Sequence, residues 1–285
     1  MRRIAVVLLS VLLVAAGCAR QAPVTASEPS PSATVAPVLV GATSDPTVQV
    51  LAELYAQALV SKGRPARVVE AADNPNAQVG RLMAGELDVV PAFAWSAAQG
   101  LEVDTQGGQD LLSDLAAALE GEAAVLQPSK VDRAWRYVST KSGGSLLDLS
   151  KKSTIVASER WRTAPDGPSG LAAIYGAKPK VTVVADAAQR LASVKKGAIG
   201  VFDGTEPQGA DAAVKPVADP KSLVASDPQL ALLRVERATD DTILDVLQQL
   251  HGTLDNAAII SIRTRAAASS VPAAVTEWLK AHPLR

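Results

Sequence analysis

The chain is poor in the residues that most chemistry depends on. It has one cysteine, two histidines and few aromatics, which make up only 3% of its residues. A single cysteine excludes a disulfide within the chain and any CxxC redox or metal motif. His251 and His282 stand without HExxH, and GxSxG and glycine-rich phosphate loops are absent. Metal catalysis and activated nucleophiles therefore have no visible ligands or bases. Ser193-Val194-Lys195-Lys196 fits SxxK, but its companions SDN and KTG are missing, so the match reads as chance on a solvated helix face. The chain reads as a non-enzyme with no expected cofactor. With 28 basic residues against 29 acidic ones and no basic stripe, nucleic acid is not expected as a partner.

What the chain does have begins at its start. Arg2 and Arg3 precede an apolar run from Ile4 to Ala16, broken only by Ser10 and followed by Gly17 and Cys18. A charged start, a short apolar core and small residues before a cut describe a signal peptide over 1–17. The run is shorter than the ~20 residues of a membrane span, and no later segment approaches that length. Val14-Ala15-Ala16-Gly17-Cys18 resembles the bacterial lipobox, which predicts diacylglycerol on Cys18 and attachment to the outer face of the cell membrane. Residues 18–37, rich in Ala, Pro, Ser and Thr, cannot build a core and read as a flexible tether of about 25 Å. Loss of Arg2 and Arg3 leaves 26 basic against 29 acidic residues, a formal charge of −3. About 250 residues remain, enough for one large or two modest lobes.

The body alternates strand and helix. Strands are expected at 38–43, 66–69 and 87–91, with helices from Thr47 and over 76–84 and a turn at Asp73-Asn74-Pro75. A helix over 110–119 and a strand at 123–126 complete this unit. A second unit opens at 135–138 and continues with strands at 154–157, 181–184 and 198–201. Its helices fall at 169–175 and 187–196, each with glycine just beyond its end. From Asp240 the chain turns helical, and a last helix starts near Pro272. The alternation argues for parallel sheets with right-handed crossovers.

In open α/β sheets a ligand sits at the carboxyl ends of the strands. That rule selects Thr43-Ser44-Asp45, residues 91–95, the loop 158–168 and residues 202–206. Phe93, Trp95, Trp161 and Phe202 thereby fall in loop-facing positions of two different units. Tyr55, Tyr175 and Trp278 fall on helix stripes and read as core, while Trp135 and Tyr137 alternate on a strand that links the units.

VLVGATSDPTVQVLAELYAQAL, RLMAGELDVVPAF, SERWRTAPDGPSGLAAIYG and LASVKKGAIGVFDGTEP, in this order, resemble the substrate-binding proteins of glycine betaine/choline (osmoprotectant) ABC importers. The resemblance covers nearly everything after the tether. It implies an α/β, two-lobed periplasmic-binding-protein fold of type II with a helical C-terminal tail. Lobe 1 would comprise 38–134 plus 217–285 and lobe 2 135–216, hinged on two crossing segments near 134–139 and 214–218. It also implies a monomer that closes on a small-molecule solute and presents it to a membrane permease, with a separate ATPase supplying the energy.

A quaternary ammonium has no N–H donor and is recognised by aromatic faces; a carboxylate wants arginine. On the resemblance, Phe93 matches a cage tyrosine, Trp95 stands in for another, and Trp161 and Phe202 add walls. Thr43, Ser44, Arg162 and Thr205 are the expected polar contacts. The family's GSKxFTE, PEYTG and DGLPGL have become Gly41-Ala42-Thr43-Ser44-Asp45-Pro46-Thr47, Pro91-Ala92-Phe93-Ala94-Trp95 and Asp166-Gly167-Pro168-Ser169-Gly170-Leu171. The alternative reading is a cell-envelope lipoprotein that keeps the scaffold as an interaction partner or sensor without transporting a solute.

Overall fold

The computed structural model describes residues 35–70, 75–103 and 111–285. The leader, Cys18, most of the tether and Asp73-Asn74 of the expected turn lie outside them. The first unit runs β1 (Val38–Ala42), α1 (Pro46–Ser61), β2 (Ala66–Glu70), α2 (Pro75–Met83), β3 (Val89–Phe93), α3 (Ala94–Gly100), α4 (Leu111–Ala118) and β4 (Ala123–Val125). The second runs β5 (Arg136–Ser139), β6 (Thr154–Ala157), α5 (Glu159–Thr163), α6 (Pro168–Tyr175), β7 (Lys180–Val183), α7 (Ala187–Lys195), β8 (Ile199–Phe202) and β9 (Lys215–Pro216). The chain then returns to the first unit as β10 (Gln229–Arg234), α8 (Asp241–Thr253), α9 (Asn256–Ala266) and α10 (Val271–Ala281).

Each lobe is built on a five-stranded sheet, ordered β2-β1-β3-β10-β4 in one and β7-β6-β8-β5-β9 in the other. The sheets are mixed. β1, β2 and β3 are parallel, while β10 inserts antiparallel between β3 and β4, with Ala231 opposite Pro91 and Leu233 opposite Ala124. β5 likewise runs antiparallel to β8 and β9. The βαβ alternation predicts the parallel parts; β10 is not among the expected elements, because its uniform apolar run Leu230–Leu233 has no helix before it. Four hydrophobic clusters cover both faces of both sheets, the arrangement that near-continuous apolar strands require.

Helix α1 forms the centre of lobe 1. Asp45 caps it, accepting from the N–H groups of Thr47 (2.8 Å) and Val48 (3.2 Å), with Pro46 in the first turn. Its Val50, Leu51, Leu54, Tyr55 and Leu59 are buried against the sheet and against α8, α9 and α10. A buried polar chain ties these layers together. His251 Nδ1 faces the carbonyl of Gln127 (2.7 Å), an acceptor only, so this nitrogen donates. Nε2 must then accept from the Tyr55 hydroxyl (2.6 Å), which in turn accepts from Gln229 Nε2 (2.7 Å).

The lobes are joined by two crossing strands of chain at about 126–135 and 224–228. They pair with each other: Ser129 N–H donates to Gln229 O (2.9 Å), Gln229 N–H to Val131 O (2.9 Å) and Arg133 N–H to Asp227 O (3.0 Å). The expected hinges at 134–139 and 214–218 instead contain β5 and β9, both in the second sheet. Val217 and Leu223 also pack with Tyr137 and Trp161 in lobe 2. The chain therefore leaves lobe 2 later than the expected boundary at 216/217, because these apolar residues complete that lobe's core.

Candidate functional site

The strand ends of the two sheets face each other across the crossing segments, and a charged bridge spans them. Asp45 uses Oδ1 to cap α1 and Oδ2 to accept from Arg133 Nη2 at 2.7 Å. Arg133, on the first crossing segment, also donates through Nε to Asp203 Oδ2 (2.7 Å), just after β8. That same oxygen accepts from Arg160 Nη2 of α5 at 2.6 Å, and Asp203 Oδ1 accepts from the Thr205 N–H and hydroxyl. Burial would raise Asp203, but Arg133 and Arg160 outweigh it and hold the carboxyl far below the usual range. Burial likewise opposes Asp45, and Arg133 again keeps it below its ordinary value.

Neutral contacts extend this bridge. Because the Thr205 hydroxyl donates to Asp203, it accepts from Thr47 Oγ1 (2.8 Å), tying α1 directly to lobe 2. Asn256 Nδ2 of α9 donates to both Asp132 O (2.8 Å) and Gly204 O (2.9 Å). Gly204 has to be glycine: a Cβ there would stand 2.3 Å from Asp132 O. The lobes thus meet by hydrogen bonds from α1, α9 and the first crossing segment to a single loop, 203–205.

Beside the bridge a cleft of about 170 Å³ remains open, lined by Trp95, Trp135, Arg160, Asp166, Asp227 and Gln99. It is smaller than the ~300–1,000 Å³ of drug-sized pockets and suits a compact solute. Asp227 accepts from the Trp95 backbone N–H at 2.9 Å. Asp166 accepts from Trp135 Nε1 (3.2 Å) and from the Ala225 N–H (3.4 Å). Neither carboxylate forms an ion pair among the described residues. Burial pushes Asp227 up to about 6, with Arg133 and Arg160 only partly offsetting it. Burial raises Asp166 as well. The Asp166-Gly167 turn is held by close backbone approach, since a Cβ on Gly167 would lie 2.2 Å from Trp161 O.

The expected site residues divide. Trp95 lines the cleft. Phe93 is buried at the end of β3, its ring covered by the Arg133 guanidinium 4.5 Å from the centroid. Thr43 and Phe93 border a separate cavity of about 40 Å³ on the far side of Arg133. Thr205 is wholly buried in the lobe contact, and Ser44 is exposed outside both cavities.

Three expectations are corrected. Trp161 is not a cleft wall: it is fully buried in the core of lobe 2, its Nε1–H donating to the Tyr137 hydroxyl at 3.1 Å. Phe202 is also fully buried, with Arg190 over its ring. Arg162 points to solvent and pairs with Glu159, one turn back on the same short helix. A five-residue helix from Glu159 turns alternate residues to opposite sides, so Arg160 rather than its neighbours reaches the cleft. Arg133, Trp135, Arg160, Asp166 and Asp227 are the residues not chosen as contacts. Asp166 and Arg160 stand in a segment already singled out, whereas Arg133 and Asp227 lie in crossing segments with no motif to mark them.

Comparison with known proteins gives a consistent picture. The family model "Substrate binding domain of ABC-type glycine betaine transport system" matches residues 36–281. A sequence search of curated proteins returned no match. Among solved structures, a glycine betaine/carnitine/choline ABC transporter protein superposes with TM-score 0.75 at 14% identity, over 86% of this chain and 98% of the other. Apo YehZ from Escherichia coli gives 0.68 at 18%, over 87% and 99%. Lactococcal OpuAC, in its closed form with glycine betaine, gives 0.60 at 14%, over 86% and 95%. These likenesses establish a two-lobed binding-protein fold.

Proposed function

The chain belongs to the family of substrate-binding domains of ABC-type glycine betaine transport systems, solute-binding proteins rather than enzymes, and from that premise we propose that it captures a small organic cation or zwitterion between its lobes. In this reading the protein is anchored outside the cytoplasmic membrane through lipid on Cys18. It acts as a monomer and delivers its solute to a membrane permease driven by a separate ATPase.

The observation that carries the reading is the cleft at the lobe junction. Two tryptophan rings, two arginines and two carboxylates with no ion-pair partner among the described residues converge there from α3, α5, both crossing segments and the loop around Asp166. The bridge through Arg133 and Asp203 would form the floor of the site and close with the lobes, a hinge motion of the usual kind.

A thermal-shift screen with glycine betaine, choline, carnitine and related amines tests this. A solute at 100 times its Kd adds about 2.7 kcal/mol, or about 5–11 °C for a body of this size. No shift with any of them would remove the solute-capture reading and leave the scaffold as an interaction module. Retention of the wild type, and release of Cys18→Ala, on membrane fractionation tests the anchor separately.

A further inference from the structure

We infer, on the premise of the proposed function, that the cleft selects an ammonium carrying N–H donors, with Asp227 as its acceptor, over a fully methylated quaternary ammonium. The first ground is that the protein's own cations occupy the aromatic faces. The Arg160 guanidinium lies 4.4 Å from the Trp135 ring centroid, and that of Arg133 lies 4.5 Å from the Phe93 centroid. A quaternary ammonium depends on several free ring faces for its attraction. Of the two rings that line the cleft, Trp135 is covered in this way and Trp95 alone carries no such cation.

The second ground is the state of the carboxylates. Asp227 Oδ1 accepts one backbone N–H, and no hydrogen bond to Oδ2 exists among the described residues. The side chain is half-buried and lines the cleft, and Oδ2 is not among the fully buried polar atoms left without a partner, so it is the oxygen open to a donor. Arg133 and Arg160, the nearest cations, direct their bonds to Asp45 and Asp203 instead. An N–H-bearing ammonium can donate to Oδ2; a trimethylammonium leaves it desolvated and unpaired, the asymmetry by which hydrogen-bonding sites reject analogues lacking the donor.

The third ground is the balance of charge. Counting the bridge and the cleft together, Arg133, Arg160 and Arg263, which donates to Thr205 O at 2.8 Å, face Asp45, Asp166, Asp203 and Asp227. The surplus is negative, which favours a cation. Arg160 is the one guanidinium bordering the cleft with a single ion pair, and it is placed to take a carboxylate should the solute carry one.

Two methylation series test the inference by isothermal titration with the purified protein: ethanolamine through its N-methyl and N,N-dimethyl forms to choline, and glycine through sarcosine and dimethylglycine to glycine betaine. Within a series only N–H count and methyl bulk change. The expected result is affinity at least about tenfold higher for the N–H-bearing members than for the trimethyl end, the worth of one charged hydrogen bond. Asp227→Asn should flatten the series while the protein keeps its fold by circular dichroism. Choline or glycine betaine binding as tightly as, or more tightly than, the N–H members overturns the inference and leaves the proposed function standing. Binding by no member of either series overturns both.

Discussion

Replacing Trp161 by alanine separates packing from ligand contact at the residue whose setting in the sequence is most suggestive. In the folded protein its side chain has no exposure, and it meets Tyr137 edge-on with ring centroids 6.1 Å apart. It packs with Ile155, Leu171 and Leu223. A buried tryptophan removes ~150–250 Å² from water, worth about 4–6 kcal/mol at ~25 cal/mol per Å². Large-to-small replacements of Phe or Trp in cores cost ~3–5 kcal/mol, cavity included. The two routes agree on about 4 kcal/mol. At ~2–4 °C per kcal/mol, Trp161→Ala should melt roughly 8–16 °C lower than wild type by circular dichroism. Trp161→Phe, which keeps most of the ring and loses the Nε1–H to Tyr137, should recover more than half of that. Solute affinity of the residual folded protein should change little. A variant melting within about 2 °C of wild type, with solute binding abolished, would refute the core assignment.

Gly204→Ala should lower the melting temperature by several degrees and increase the radius of gyration in solution scattering, because its Cβ would strike Asp132 O at 2.3 Å and force the lobes apart; no change in either would mean that the 203–205 loop does not set their approach. Asp227→Asn should stabilise the unliganded protein at pH 7 by about 1–2 kcal/mol, a carboxyl raised to about 6 costing ~1.4 kcal/mol per pH unit before screening is discounted. The sign follows from linkage: a raised carboxyl binds its proton earlier in the folded state, so wild type gains stability relative to the variant as pH falls from about 6 toward 4. A variant less stable than wild type at pH 7 in urea unfolding would contradict the uncompensated charge. His251 works in the opposite direction. Burial lowers its pKa, so the unfolded chain takes up the proton first and stability present above about pH 6.5 declines as pH falls. In an Asp166→Asn, Asp227→Asn background, where both raised carboxyls are gone, urea midpoints should fall between pH 7 and 5; a flat profile would show that the ring titrates alike in both states.

Local signals were sufficient for most elements of the lobes. The apolar period locates α1 from Thr47, one residue inside its observed start, and apolar runs with flanking turns locate β6 and α7, because these features act over a few residues. The expected third strand at 87–91 falls at Val89–Phe93 instead, since Leu87 and Asp88 form its entry. β10 carries no local signal of its own, because its partners, β3 and β4, are more than a hundred residues away. The crossing segments differ from the expected hinges for a related reason: an apolar alternation such as Trp135 to Val138 marks a strand but carries no mark of which sheet it joins.

The site shows the same division more sharply. The residue types in the 158–168 loop, the Asp166-Gly167 turn and the order of the four matching segments identified the family and the scaffold, since those depend on which residues stand next to one another. Which of Arg160, Trp161 and Arg162 reaches the cleft depended on the rotation of α5 against β6, and that rotation is set by Tyr137 and Leu171 packing on Trp161. Arg133 and Asp227 acquired their roles only when the two crossing segments paired side by side, at a separation along the chain over which no local pattern operates. The chain's order of residues therefore determined what kind of protein this is, and long-range packing decided which side chains line the cleft.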